Sequence, residues 1–204
     1  FALDTGTGRC LWQYRLPASE YSFKVATEGT VLVGLERIGF LALDAVTERE
    51  IWSRNDIKSI LAATPGVVYG CGYPGGHGSG SLLSALEVKT GKTIWKRRLA
   101  ETLLTGMRLL KENAGGRDAS RGTGIFGTWE DGIIAINLGT GAVRWKFRAG
   151  PFRRHPVTVT EENRVVTLAP VLRDGRVCFG IGKRYYVLDA RTGKLVETRN
   201  IGRA

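Results

Sequence analysis

Read for its apolar and polar positions, the chain is a succession of short apolar runs, each closed by Gly, Asp, Asn or Pro. Almost none of it has the spacing of an amphipathic helix. The runs predict strands at Tyr21–Ala26 and Thr30–Gly34, joined around Glu28-Gly29, and at Ile60–Thr64 and Val67–Cys71, joined at Pro65-Gly66. Further strands are predicted at Leu103–Lys111 and Ile125–Thr128, and at Val165–Leu172 and Val177–Ile181 on either side of Arg173-Asp174-Gly175. Leu103–Lys111 is the one run that also reads as helix. Val157–Thr160 is left over, and it blurs the register of the last unit.

Between these runs one segment recurs five times without gaps. Residues 2–12 read ALDTGTGRCLW, 42–52 ALDAVTEREIW, 85–95 ALEVKTGKTIW, 135–145 AINLGTGAVRW and 187–197 VLDARTGKLVE. Each copy is an apolar strand, a tight turn and a second strand. The turn Gly supplies a positive φ at little steric cost. Trp12, Trp52, Trp95 and Trp145 follow it at the fourth position, and Glu197 takes that place in the last copy. Two-residue alternation places Leu11, Ile51, Ile94 and Arg144 on the face opposite the Trp. Glu48 replaces the turn Gly in the second copy, which predicts a strained turn or one of another type.

Four strands in roughly 40–50 residues, repeated with a Trp signature, are the pattern of a β-propeller blade. The expected fold is all-β, a single domain of four-stranded antiparallel blades. It divides into a half blade at 1–16 and blades at approximately 20–54, 60–99, 102–148 and 156–200. Independent β-sandwiches would not explain the repeated hairpin. The copies at 135–147 (AINLGTGAVRWKF) and 186–194 (YVLDARTGK) resemble the pyrroloquinoline-quinone-like (PQQ-like) propeller repeat, and the resemblance covers nearly the whole chain. It implies that the repeated Trp packs between neighbouring blades. Members include quinone-dependent dehydrogenases and cofactor-free scaffolds of outer-membrane assembly. Family rings have more blades than this chain supplies, so the expectation is a fragment of a larger propeller, or an arc completed by another chain. Family analogy also implies a periplasmic or secreted protein.

Charge sharpens the picture. There are 30 Lys and Arg against 19 Asp and Glu, a net of +11. Residues 1–95 hold nine basic and nine acidic side chains, whereas residues 96–204 hold 21 and ten. A basic second half attracts acidic proteins, nucleic acid or anionic lipid. Arg144, Lys146 and Arg148 alternate like a charged outer edge strand, which discourages stray pairing. Blade topology gathers the turns between second and third strands on one face, together with the blade connections. That face would carry Trp129, Arg153, Arg154, Lys183 and Arg184, the candidate partner-binding residues. The Thr-Gly turns and a loop at Glu112–Gly124 lie opposite.

Catalytic chemistry is thin. Cys10, Cys71 and Cys178 are dispersed in strand-like runs without a CxxC pair, which reads as buried small apolar residues, with one disulfide still open. His77, in a Gly-rich loop, lacks the Gly-Lys-Ser/Thr of a phosphate-binding loop, and there is no Gly-x-Ser-x-Gly elbow. Quinone dehydrogenases of the resembled family carry an adjacent Cys-Cys pair and a Glu/Asn/Asp calcium set, neither of which can be matched here. No apolar run approaches the roughly 18 residues of a membrane helix. The leading expectation is therefore a non-catalytic scaffold that binds other protein chains without a cofactor. Part of a PQQ- and calcium-dependent dehydrogenase and a nucleic-acid-associated propeller are the alternatives.

Overall fold

A computed structural model describes residues 2–15, 21–35, 39–75, 80–103, 106–111, 122–128, 132–149, 170–181 and 183–200. Every regular element among them is a β-strand. The chain forms two compact units, Phe1–Pro74 with Leu82–Lys96, and Gly75–Ser81 with Arg97–Ala204.

The first unit opens with a two-stranded sheet, β1 (Ala2–Leu3) and β2 (Cys10–Trp12). A four-stranded sheet follows, of β3 (Tyr21–Thr27), β4 (Thr30–Leu35), β5 (Gly39–Asp44) and β6 (Glu50–Arg54). The next sheet has β7 (Ser59–Thr64), β8 (Val67–Gly72), β9 (Ser81–Glu87) and β10 (Thr93–Leu99), the last passing into the second unit. The second unit holds β11 (Arg108–Lys111), β12 (Gly122–Thr128), β13 (Gly132–Asn137) and β14 (Val143–Arg148) in one sheet. Its other sheet is β15 (Val171–Arg173), β16 (Arg176–Ile181), β17 (Arg184–Asp189) and β18 (Leu195–Asn200). In all four sheets the spatial order follows the chain order. These are the up-and-down blades of a partial β-propeller with about four blades.

The repeat has a structural cause. Asp4 Oδ1 accepts from the Gly6 N–H (3.1 Å), the Thr7 N–H (2.7 Å) and the Thr7 hydroxyl (2.7 Å). Asp44, Asn137 and Asp189 hold their turns in the same way. These bonds hold the Asp4, Asp44 and Asp189 carboxyls below their usual range, the Thr7 hydroxyl leading at Asp4, the Thr47 N–H at Asp44 and the Thr192 hydroxyl at Asp189. The fifth turn residue takes positive φ: 68° at Gly8, 66° at Gly91, 69° at Gly141 and 70° at Gly193. A bulge then follows, because Ala42 pairs with Trp52 while Leu43 pairs with Glu50, and Ala135 pairs with Trp145 while Ile136 pairs with Val143. The bulge preserves the expected facing: Trp52 and Trp145 are 8% and 9% exposed, whereas Leu11 and Ile51 are 60% and 38% exposed.

Several expectations need correction. Of the two alternatives expected for Glu48, a strained turn is the one found, and the turn type is kept. Glu48 adopts φ 56°, the left-handed conformation of the Gly it replaces. That conformation crowds Cβ against the backbone, so Glu48→Gly is expected to stabilise the protein by about 1 kcal/mol, read from the urea midpoint. Leu103–Lys111 is not one strand. β11 begins at Arg108, and Leu103 stands apart from it in an isolated bridge to Thr128. The expected loop Glu112–Gly124 ends early, because β12 starts at Gly122. Gly122-Thr123-Gly124 looks like loop by composition, yet its glycines are where neighbours come close. A Cβ on Gly122 would meet Leu138 Cδ1 at 2.7 Å, and one on Gly124 would meet Met107 Sδ at 2.3 Å. All three cysteines are free, and Cys10 is exposed rather than buried. Burial pushes the Cys71 thiol up to about 11. Val157–Thr160 lies outside the described residues.

Candidate functional site

The repeated Trp positions join neighbouring sheets within each unit. Trp12 Nε1 donates to Ala45 O (2.7 Å), Trp52 Nε1 to Val88 O (2.7 Å) and Trp145 Nε1 to Ala190 O (3.2 Å). Each acceptor directly follows the Asp or Glu that opens the next turn. The ring then lies against that turn's Gly: a Cβ on Gly91 would sit 2.7 Å from Trp52 Cδ2, and one on Gly193 would sit 2.6 Å from Trp145 Cδ2. Trp52 packs with Leu86 and Val88, and Trp145 packs with Val177 and Leu188. At the turn that receives Trp12, Glu48 carries a Cβ in place of Gly, and Trp12 is only half-buried. These tryptophans are structural locks, as the repeat implied.

Each unit also holds an internal ion pair. In the first unit, Asp56 accepts from Arg54 Nε and Nη2 (both 2.7 Å) and from Lys96 Nζ (2.8 Å). Arg54 Nη1 also donates to Gly91 O at 2.8 Å. The bidentate guanidinium of Arg54 is the main cause that holds the Asp56 carboxyl well below its usual range. In the second unit, Glu101 Oε1 receives Lys146 Nζ at 2.7 Å, with Arg148 Nη2 3.7 Å away. The Glu101 side chain is only 6% exposed. Burial pushes this carboxyl upward, but Lys146 and the other hydrogen bonds leave it below its usual range. Arg148 and Lys146 are therefore not merely repulsive edge charges, because both face a buried carboxylate. Sequence reasoning missed this motif, although the Trp-Lys pairs at 95–96 and 145–146 signalled it.

The Asp56 pair sets a pH dependence. A carboxyl depressed in the folded state stabilises fully above its ordinary value of 3.8, and the contribution is lost as pH falls through the lower folded value. The stability difference between wild type and Asp56→Asn is thus expected to shrink between about pH 6 and about pH 2, by urea unfolding at each pH.

Of the sequence-derived candidates, Lys183 is exposed in the turn after β16, and Arg184 opens β17, also exposed. Trp129, Arg153 and Arg154 lie outside the described residues, as do His77 and His155. Among the described residues, no three His, Cys, Asp or Glu side chains converge as metal ligands. Their one buried carboxylate, Glu101, is already neutralised by cations. No helix among the described residues is long and apolar enough to cross a membrane.

Comparison with known proteins agrees with the blade geometry. The chain is 24% identical, over 99% of its length, to quinohemoprotein alcohol dehydrogenase ADH IIB of Pseudomonas putida, of which it spans 38%. The crystal structure of BamB from Moraxella catarrhalis superposes with a TM-score of 0.58 at 19% identity, over 84% of this chain and 50% of that one. The quinohemoprotein alcohol dehydrogenase of Comamonas testosteroni superposes with a TM-score of 0.63 at 15% identity, over 97% of this chain and 39% of that one. The chain thus spans half or less of each of these relatives. Residues 1–203 match the PQQ_2 family, described as outer membrane protein assembly factor BamB, and the chain belongs to that family of PQQ-like propeller repeat proteins.

Proposed function

We propose that the chain is a non-catalytic propeller scaffold that holds other protein chains in an assembly. The family match over residues 1–203 carries this reading, since the family is described as an assembly factor. The chemistry of the described residues supports it. Two of their carboxylates are spent on ion pairs within the fold: half-buried Asp56 on Arg54 and Lys96, and buried Glu101 on Lys146. What remains exposed is largely cationic, and rim cations steer an acidic partner and set its register. Under this reading Trp129, Arg153, Arg154, Lys183 and Arg184 form the partner face, and the protein works in the periplasm or outside the cell.

The second reading is a part of a quinone-dependent dehydrogenase. It is favoured by the relative that aligns with 99% of this chain. A binding measurement separates the two. Reversing Lys183 and Arg184 to Glu is expected to weaken the native partner by about tenfold and to steepen no salt dependence. The same protein should show no saturable absorbance change with PQQ and calcium. A partner affinity untouched by the reversal would remove these residues from the interface. Saturable quinone binding would favour the dehydrogenase.

A further inference from the structure

The β15–β18 sheet ends on β18, and its outer edge is open: among the described residues β18 pairs with β17 alone. Glu197 and Arg199 stand two residues apart on this strand and therefore on one face. Their side chains are 36% and 73% exposed, and Arg199 Nε donates to Glu197 Oε1. Leu195 and Val196 beside them are half exposed. The outer strands β10 and β14 differ. β10 carries Lys96, Arg97 and Arg98, β14 carries Arg144, Lys146 and Arg148, and neither strand holds an acid. Pairing either strand with a second copy of itself would bring together three cations from each copy, and like charge of this kind keeps edges from self-association. β6 has both signs, but Arg54 is held by Asp56 through two nitrogens. β18 joins an open edge to one acid and one base.

We propose that two copies of this chain associate through β18, edge to edge and antiparallel, about a twofold axis at Thr198. This centre sets Glu197 of each copy opposite Arg199 of the other, since the two residues flank Thr198 on either side. Two cross-strand ion pairs and one Thr–Thr pair result, both of them kinds that sheets favour. The Arg199–Glu197 bond within each chain persists, because a carboxylate has two acceptor oxygens and a guanidinium five N–H donors. Four alternating charges then close on one another. The four strands of each copy join into one sheet across the axis, and the isologous contact stops at two copies. A second copy fits this edge better than a strand of one sign, which would meet one repulsive charge for each attractive one. The surface is independent of the scaffold and dehydrogenase readings.

Sedimentation of the purified chain, with no other partner present, tests the proposal. A monomer–dimer equilibrium is expected, shifting to the dimer as concentration rises and weakening as salt is added. Arg199→Glu and Glu197→Arg should each raise the dimer dissociation constant by about tenfold or more, because each sets two like-charged pairs across the axis. The double variant Glu197→Arg, Arg199→Glu keeps opposite charges facing each other, and should return the constant to within about threefold of wild type. Amide exchange at residues 195–200 should slow as the dimer forms. A chain that stays monomeric up to about 1 mM, a dimer that neither single reversal weakens, a double variant as weak as the singles, or amide exchange untouched by dimerisation would each overturn the proposal.

Discussion

Trp145→Ala is expected to cost about 3–5 kcal/mol, the usual range for emptying a buried aromatic site. The indole is buried in one core cluster with Val177 and Leu188, and its N–H satisfies Ala190 O at 3.2 Å. Truncation therefore opens a cavity and also leaves a carbonyl without its donor. A domain of this kind is stable by only about 5–15 kcal/mol, so one such loss consumes much of the total. Trp145→Phe keeps most of the apolar area but drops the hydrogen bond, and should cost about 1–2 kcal/mol. Trp12→Ala should cost less than Trp145→Ala, because Trp12 is half-buried. Urea unfolding followed by circular dichroism reads all three. A loss below about 1 kcal/mol for Trp145→Ala would mean that the ring is not the lock between blades.

Gly193→Ala is expected to cost about 2–4 kcal/mol, whereas Gly175→Ala costs about 1 kcal/mol. The two glycines share a backbone conformation, with φ of 70° and 71°. They differ in what a methyl would meet. At Gly175 nothing lies within 4 Å, whereas at Gly193 the added carbon falls 2.6 Å from Trp145 Cδ2 and Cε3. The difference between the two variants therefore isolates the contact with the ring. Adding Gly193→Ala to Trp145→Ala should cost much less than Gly193→Ala alone, because the ring that the methyl strikes is gone. Equal costs at Gly193 and Gly175 would show that the backbone angle, and not the ring, demands glycine in these turns.

These two predictions show why the fold was legible. The Asp (Glu87 and Asn137 in two copies), Thr, Gly (Glu48 in one) and Trp (Glu197 in one) of the repeat do different jobs in one small structure. Asp caps the turn, Gly supplies its handedness and receives the previous Trp, and Ala faces Trp across the bulge. Residues tied together so tightly recur in sequence, and recurrence is what a single chain can display. The exception is consistent: where Glu197 replaces Trp, Val187 replaces the Ala opposite it. Gly122 and Gly124 were misread because their role is close packing, which composition cannot tell apart from a flexible loop. The ion pairs were missed for a similar reason. Lys146 and Glu101 are 45 residues apart, and only the folding of the second unit brings them together. The basic excess of the second half was plain in the sequence. Its division between internal ion pairs and exposed surface was not, because that depends on which face each strand turns outward.

The scaffold account is tested most directly by isolating the native particle from its source cells, then determining its mass, its components and its absorbance together. The account predicts a particle heavier than this polypeptide, containing at least one other protein, without the absorbance of a bound quinone and unchanged by calcium chelation. A particle that carries stoichiometric quinone, loses it on chelation and oxidises an alcohol would contradict the account and establish a dehydrogenase.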